Sequence, residues 1–114
     1  MKSIYITLTL FISPILYANE INNNDVYTAN SGQKLSTTLI NWSLKNDFSV
    51  LWNVKSESGD TMDWEITHPV QIEASYYEAV STLLRAYRKT NNKIKFNWTF
   101  YKNKVLEIHL EESL

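Results

Sequence analysis

Two neighbouring segments near the C-terminal end alternate between apolar and polar residues. They cover residues 94–101 and 105–110, and Lys102-Asn103 lies in the short gap between them. Alternate side chains of a strand point to opposite faces, so the pattern predicts an antiparallel hairpin with one apolar face that other elements must cover. The apolar positions are Ile94, Phe96, Trp98, Phe100, Leu106, Ile108 and Leu110.

Two helical segments can provide this cover. Apolar residues at spacings of three and four predict a helix over 33–46, with Ser31 as its N-cap. Ser75 and Glu78 have the spacing of a capping box, and the helix behind them is expected to run to about Thr90. Each helix carries one apolar stripe, as a helix that packs against a sheet requires.

Three further segments have strand character. Residues 25–29 are rich in β-favouring side chains, and 48–54 and 61–67 both alternate with a period of two. The turn residues 56–60 between the latter two predict a second antiparallel hairpin. Residues 70–72 are expected to form a short extended edge. The order β-α-β-β-α-β-β predicts an α+β fold, a small mixed sheet with two helices packed on one face.

The absence of cysteine excludes a disulfide framework, so the fold depends on its apolar core. Aromatic residues make up 13% of the chain, and we expect Trp42, Trp52 and Phe96 in the core. Tyr101, Trp64 and Tyr77 are the aromatic candidates for the surface. With only two glycines and two prolines in 114 residues, most of the chain is expected to be regular structure.

The N-terminal residues have the layout of a secretory signal peptide. Lys2 precedes the apolar stretch 4–16, and Ala18 provides a small residue before the predicted cleavage point. The stretch is shorter than the roughly 20 apolar residues that a membrane-spanning helix needs. We therefore predict an exported protein whose signal peptide, residues 1–18, is cleaved after Ala18.

The remainder divides into two parts. The polar, asparagine-rich residues 19–25 are expected to form a flexible lead. Residues 26–114 then form a single α+β domain, a suitable size for one hydrophobic core.

The sequence gives no sign of catalysis, and we expect no enzyme activity, cofactor or metal. There is no cysteine nucleophile, and His68 stands alone beside Pro69. His109 alternates with Glu107 on the outward face of the last strand, which is typical of a solvated face rather than of a metal site. Four acidic residues crowd one predicted hairpin, where turns commonly place them: Glu57, Asp60, Asp63 and Glu65. The formal net charge of −1, without a long run of like charge, argues against nucleic acid or an anionic membrane as partner.

Several of these features occur in the order that a known family shows. The chain resembles the toxin-coregulated-pilus biosynthesis protein Q family, to which a segment of PilL-type pilus proteins is related. The residues that carry the resemblance are Gly32, Leu35, Leu39, Trp42, the strand Phe48-Ser49-Val50-Leu51-Trp52, Ala79-Val80, Leu83-Leu84 and Asn103-Lys104-Val105-Leu106. Asn46-Asp47 stands where the family often has a glycine turn.

The resemblance implies a fold similar to the short N-terminal domains of secretins and TonB-dependent receptors. It also implies a periplasmic accessory protein that binds an outer-membrane secretin, or its lipoprotein form, and helps the secretin assemble or localise in type IVb pilus biogenesis. Association with the membrane is then expected only through the partner. The resemblance provides no catalytic residues.

The outward positions of the C-terminal hairpin are our candidates for partner binding, because an exposed strand edge can pair with a strand of another protein. These candidates are Lys95, Asn97, Thr99, Tyr101, Glu107 and His109. Other functions remain open: a periplasmic inhibitor, for example of lysozyme, that uses the turn 57–60; a component of a related type IV secretion or conjugation system; or a minor periplasmic enzyme.

Overall fold

The computed structural model describes residues 6–9 as backbone and residues 24–90 and 94–111 in full. These described residues form two helices and six strands. In chain order they are β1 (Ile6–Thr9), β2 (Asp25–Ala29), α1 (Leu35–Leu44), β3 (Ser49–Asn53), β4 (Val70–Ala74), α2 (Tyr76–Thr90), β5 (Phe96–Tyr101) and β6 (Val105–Leu110).

The strands form two three-stranded sheets. In the first sheet β4 lies between β1 and β2, parallel to β1 and antiparallel to β2. In the second sheet β6 lies between β3 and β5, parallel to β3 and antiparallel to β5. Each sheet is therefore mixed, and each has a central strand whose backbone is paired on both sides.

The two helices join the sheets through one shared core. Helix α1 packs on β3, and its Trp42 reaches the first sheet, where the indole Nε1–H donates to the carbonyl of Thr28 at 2.9 Å. Helix α2 packs on β4 of the first sheet and β5 of the second, and also contacts α1. The buried side chains of all these elements belong to a single cluster, as a domain without disulfides requires.

Aromatic rings fill two parts of the core. Phe96 is completely buried, with Trp64 and Trp52 at centroid distances of 5.3 and 6.2 Å. A second group joins the start of β3 to the start of α2 and the end of β5, with centroid distances of 4.7 to 6.1 Å. Its members are Phe48, Tyr76, Tyr77 and Phe100. Such edge-to-face packing adds to the apolar area that each ring buries.

The predicted α+β class and the order β-α-β-β-α-β-β are confirmed from β2 onward. The strands are divided over two sheets because β3 does not pair with the segment that follows it. The predicted hairpin of 48–54 with 61–67 is therefore reduced to its turn end, where Met62 N–H donates to the Val54 carbonyl at 2.9 Å and Lys55 bridges Thr61, while β3 itself pairs with β6. Residues 61–67 contribute only isolated bridges, at Thr61 and Glu65, and β4 is the fourth strand of the order.

The segment 61–67 has a different role, which explains its alternating pattern. Its backbone pairs with the turn before α1: Gly32 N–H donates to the Ile66 carbonyl at 2.7 Å, and Leu35 N–H to the Trp64 carbonyl at 2.7 Å. Ile66 is buried, as the period of two predicts. The segment is thus extended and half-buried without belonging to a sheet.

The predicted N-cap of the first helix is also wrong. Helix α1 begins after Lys34, and the Ser31 hydroxyl instead donates to the carbonyl of Thr67 at 3.3 Å. Gly32 has a φ of +91°, so the chain turns there before the helix can start. The predicted N-cap of the second helix is confirmed, because Ser75 Oγ accepts the Glu78 N–H at 3.3 Å.

The signal peptide and the polar lead lie largely outside the described residues. Of residues 1–18 only β1 is described, and Asp25, the last residue of the lead, is the first residue of β2. Neither helix in residues 24–90 and 94–111 has the length and apolarity that spanning a membrane requires.

Candidate partner-binding surface

The second sheet has one face turned away from the core, which we call the outer face. Strand pairing places its side chains in three rows across β3, β6 and β5. The rows are Asn53–His109–Asn97, Leu51–Glu107–Thr99 and Ser49–Val105–Tyr101. Five of the six residues that the sequence analysis selected therefore lie together on one surface.

Lys95, the sixth candidate, lies just before β5. It is exposed, and its carbonyl accepts the N–H of Glu111 at 2.8 Å, which continues the pairing of the two strands. Its ammonium group adds a cation beside the Asn53–His109–Asn97 end of the outer face.

The inner side of this sheet holds the outer face in a fixed position. Phe96, Leu106 and Ile108 are completely buried, and Trp98 Nε1–H donates to Ser81 Oγ of α2 at 3.1 Å. At the other end, the Phe48 ring contacts Tyr76 at the first turn of α2. The outer face is thus supported by a helix and by packed rings, which limits its loss of entropy on binding.

Tyr76 anchors this support through a buried hydrogen bond. Its hydroxyl and that of Ser43 in α1 are 2.7 Å apart. Burial raises the pKa of Tyr76 to about 12, although the hydrogen bond to Ser43 opposes part of this shift. The pair joins the two helices at the end of the domain where β3 begins.

Two apolar or aromatic side chains are conspicuous on the outer face. Leu51 is 52% exposed in its middle row, and Tyr101 is 45% exposed in the last row. The Tyr101 hydroxyl donates to Glu107 Oε1 at 2.7 Å, and this hydrogen bond to a carboxylate raises the pKa of the tyrosine. Exposed apolar groups among polar neighbours are characteristic of protein-binding surfaces.

The strand order decides which backbone groups are free for a partner strand. The outer strands of this sheet are β3 and β5, whereas β6 is paired on both sides. Glu107 and His109 lie on β6 and can therefore contact a partner through their side chains only. A partner strand could pair with the backbone of β5, beside Asn97, Thr99 and Tyr101. The other outer strand, β3, was not predicted to be an edge, because its alternating pattern predicted a hairpin with residues 61–67.

His109 has an unusual environment for a residue of the outer face. Within the described part of the chain, its Nδ1 is buried without a hydrogen-bond partner. It lies between Asn53 and Asn97 in its row. Ser49, Leu51 and Asn53 of β3 are all exposed on this face, as the period of two in 48–54 requires for one set of alternate residues.

The other candidates have plainer surroundings. The turn 57–60 is exposed and held by its own hydrogen bonds, such as Ser56 N–H to the Asp60 carbonyl at 2.8 Å. Trp64 is half-buried against Phe96, whereas Tyr77 is exposed. Across residues 24–90 and 94–111, no three His, Asp or Glu side chains are placed to share a metal ion.

These features define a small α+β domain with two mixed sheets, one of which has an exposed and well-supported face. The family model described as toxin co-regulated pilus biosynthesis protein Q matches residues 25–110. The chain therefore belongs to this family. Family membership implies an accessory role in pilus biosynthesis, in association with the pilus machinery of the cell envelope. No curated protein and no solved structure matches the chain.

Proposed function

We propose that this chain is a non-enzymatic periplasmic accessory protein that binds an outer-membrane secretin, or its lipoprotein form, and assists its assembly or localisation in type IVb pilus biogenesis. The signal peptide, residues 1–18, is removed on export. The family match over 25–110 is the observation that carries this proposal. The residues of the chain that we propose to bind the partner are Lys95, Asn97, Thr99, Tyr101, Glu107 and His109.

The outer face supports the proposal by its chemistry. It combines one exposed aliphatic side chain, Leu51, with the amides and hydroxyls of β5 and the charges of Lys95 and Glu107. A mixed surface of this kind suits a partner that is a protein, because apolar contacts provide affinity and charges select the partner. Its rigid support is also favourable, since little ordering is needed on binding.

Among the described strands, β5 is paired on one side only, and its other edge supports a specific mode of binding. A partner strand added there makes backbone hydrogen bonds, while the side chains of Asn97, Thr99 and Tyr101 contact its outward residues. Lys95 at the start of this edge also discourages non-specific strand addition in the absence of the partner.

The test is binding of the purified secretin N-terminal region to the exported protein, measured by pull-down and by titration. The double charge reversal Lys95→Glu/Glu107→Lys keeps the net charge and should raise the dissociation constant about tenfold, or roughly 1.4 kcal/mol. Leu51→Glu should have a similar effect. Unchanged binding by both variants would remove the outer face from consideration.

A matched control comes from the first sheet. Lys45 Nζ and Asp25 Oδ2 form an exposed ion pair at 3.2 Å. The swap Asp25→Lys/Lys45→Glu also reverses two charges without changing the net charge, and it preserves the pairing. The fold should tolerate this swap, because an exposed ion pair contributes little to stability. Since both residues lie outside the outer face, secretin binding should stay within about twofold of that of the original protein.

A further inference from the structure

The first sheet has an edge whose occupant belongs to the predicted signal peptide. Strand β1 pairs in parallel with β4, with Ile6 opposite Val70 and Leu8 opposite Ile72. All four residues of β1 lie within residues 1–18. Removal of the signal peptide on export therefore takes away β1, and none of the other described strands lies on that side of β4.

We propose that this side of β4, once vacated, is a docking edge for an extended segment of a partner protein that runs parallel to β4. The proposal rests on the proposed function, since it takes the signal peptide as cleaved and the secretin as the protein that supplies the segment. It concerns the first sheet, and is therefore separate from the outer face of the second sheet.

The pairing of β1 shows which segment fits. Val70, Ile72 and Ala74 are buried, whereas Gln71 and Glu73 are exposed. In β1 the apolar Ile6 and Leu8 lie opposite these buried positions, at Val70 and Ile72. Two threonines, Thr7 and Thr9, lie opposite the exposed Gln71 and Glu73. The expected partner segment thus has apolar residues at two alternate positions with polar residues between them.

A pocket at the beginning of β4 adds a second feature of recognition. Its volume is about 400 Å³. Its mainly apolar walls come from the chain segment 64–70, from the last turns of α2 and from Ile94 just before β5. The lining includes Ile66, Val70, Ala86, Tyr87 and Ile94. Because a parallel segment enters the sheet beside Val70, a residue just before its paired positions can place an apolar side chain in this pocket.

A second copy of this chain is a poor occupant for this edge. A two-fold pairing of two β4 strands would be antiparallel, whereas the observed pairing with β1 is parallel. After processing, no copy of the chain retains the segment that has the right pattern. A partner with an extended apolar segment is therefore the occupant that the edge favours.

The experiment uses the protein recovered from the periplasm, after mass spectrometry has confirmed that it begins at Asn19. The first probe is a peptide with the sequence of residues 3–9, made soluble by two added lysines. Binding is followed by amide hydrogen exchange at Val70–Ala74. We expect the peptide to slow exchange of the newly paired β4 amides at least tenfold, and a peptide with aspartate in place of Ile6 and Leu8 to have no effect.

The second probe is the secretin N-terminal region, added alone and in competition with the peptide. Protection of β4 by the secretin, and its loss of binding when the peptide is present, support the proposal. Secretin binding without protection of β4 overturns this proposal and leaves the proposed function intact. Protection by the peptide without any secretin binding supports the edge and contradicts the proposed function.

The pocket is tested by filling it. Ala86→Phe should weaken peptide binding at least tenfold, whereas Ala86→Ser, which barely changes the volume, should not. If Ala86→Phe fails to fold, the proposed edge is still tested by the effect of the peptide on amide exchange of β4 in the unaltered protein. Amides of β4 that are unaffected by the peptide, or a processed protein that still contains β1, would overturn the proposal.

Discussion

Asp63, which lies outside every strand and helix, caps helix α1 through Ser36. Its Oδ1 accepts the backbone N–H of Ser36 at 3.1 Å, and its Oδ2 accepts the Ser36 hydroxyl. The same Oδ1 accepts the N–H of Trp64 at 2.9 Å. Since Lys34 at the N-cap position makes no side-chain cap, Asp63 satisfies a helix donor from 27 residues away along the chain.

We expect Asp63→Ala to lower the free energy of unfolding by about 1–2 kcal/mol, because it removes both the cap and the link between α1 and segment 61–67. Asp63→Asn keeps one oxygen acceptor and should lose less. Urea unfolding at neutral pH provides the measurement. Asp60→Ala in the exposed turn is the control and should change stability by less than about 0.5 kcal/mol. Equal losses at both positions would contradict the assigned role of Asp63.

Asp47 has a φ of 61°, which lies in the left-handed region and is the basis of the second prediction. It follows α1 at the position where the family resemblance placed a glycine turn. Asp47→Gly should raise the free energy of unfolding by about 0.5–1 kcal/mol, since the relief of strain exceeds the added entropy of the unfolded chain. Asp47→Val should be destabilising. Thermal unfolding of the two variants should shift in opposite directions, and shifts of the same sign would refute the conformational explanation.

The Tyr76–Ser43 hydrogen bond leads to a prediction about alkaline pH. The pKa of Tyr76 is about 12 in the folded protein, against an ordinary value of 10.0. Between these values the unfolded chain releases this proton and the folded chain keeps it, so stability is complete below pH 10 and declines as pH rises through 12. The decline attributable to Tyr76 should be about 1.4 kcal/mol at pH 11, midway between the two values, and about 2–3 kcal/mol in full above pH 12.

The measurement compares guanidinium unfolding at pH 8 and pH 11 for the original protein and for Tyr76→Phe/Ser43→Ala. The double substitution avoids leaving the Ser43 hydroxyl buried without a partner. Burial also raises the pKa of Tyr87, with the Asp63 carboxylate as a further cause, so some alkaline loss should persist in the variant. An alkaline loss of the same size in both proteins would count against Tyr76 as its source.

Export provides a fourth prediction. The protein isolated from the periplasm should begin at Asn19, and intact-mass spectrometry should show the loss of residues 1–18. Ala18→Arg should block cleavage because a large charged side chain replaces the small residue before the cut, whereas Ala18→Gly should still be processed. A periplasmic protein of full-length mass would contradict the predicted processing and the vacated edge of β4.

The patterns that predicted the fold correctly were those whose period is set by local geometry. The alternation of β5 and β6 and the helical spacing of α2 required only that one face be buried, and the structure confirms all three elements. The strand character of β3 was equally clear. The strand that pairs with β3 could not be predicted from the sequence. The choice between β6 and segment 61–67 depends on how the helices pack against the sheet.

The start of α1 shows a similar limit. Ser31 has the side chain of a good N-cap, yet the chain turns at Gly32, and the pairing of Gly32 and Gln33 with Ile66 delays the start of the helix until after Lys34. The cap then comes from Asp63, and its sequence distance from Ser36 gives no local signal. For the candidate site, the alternation of β5 and β6 selected the residues that now lie together. The contribution of Leu51 was hidden because it requires knowledge of the parallel pairing of β3 with β6.

The most direct test of the account is the state of the secretin in cells that lack this chain. Outer-membrane fractions should be compared between the original strain, a deletion strain, and deletion strains that express either the original protein or Lys95→Glu/Glu107→Lys. Secretin multimers are expected to disappear on deletion, to return with the original protein and to return poorly with the variant. Normal multimers in the deletion strain would contradict a role in secretin assembly.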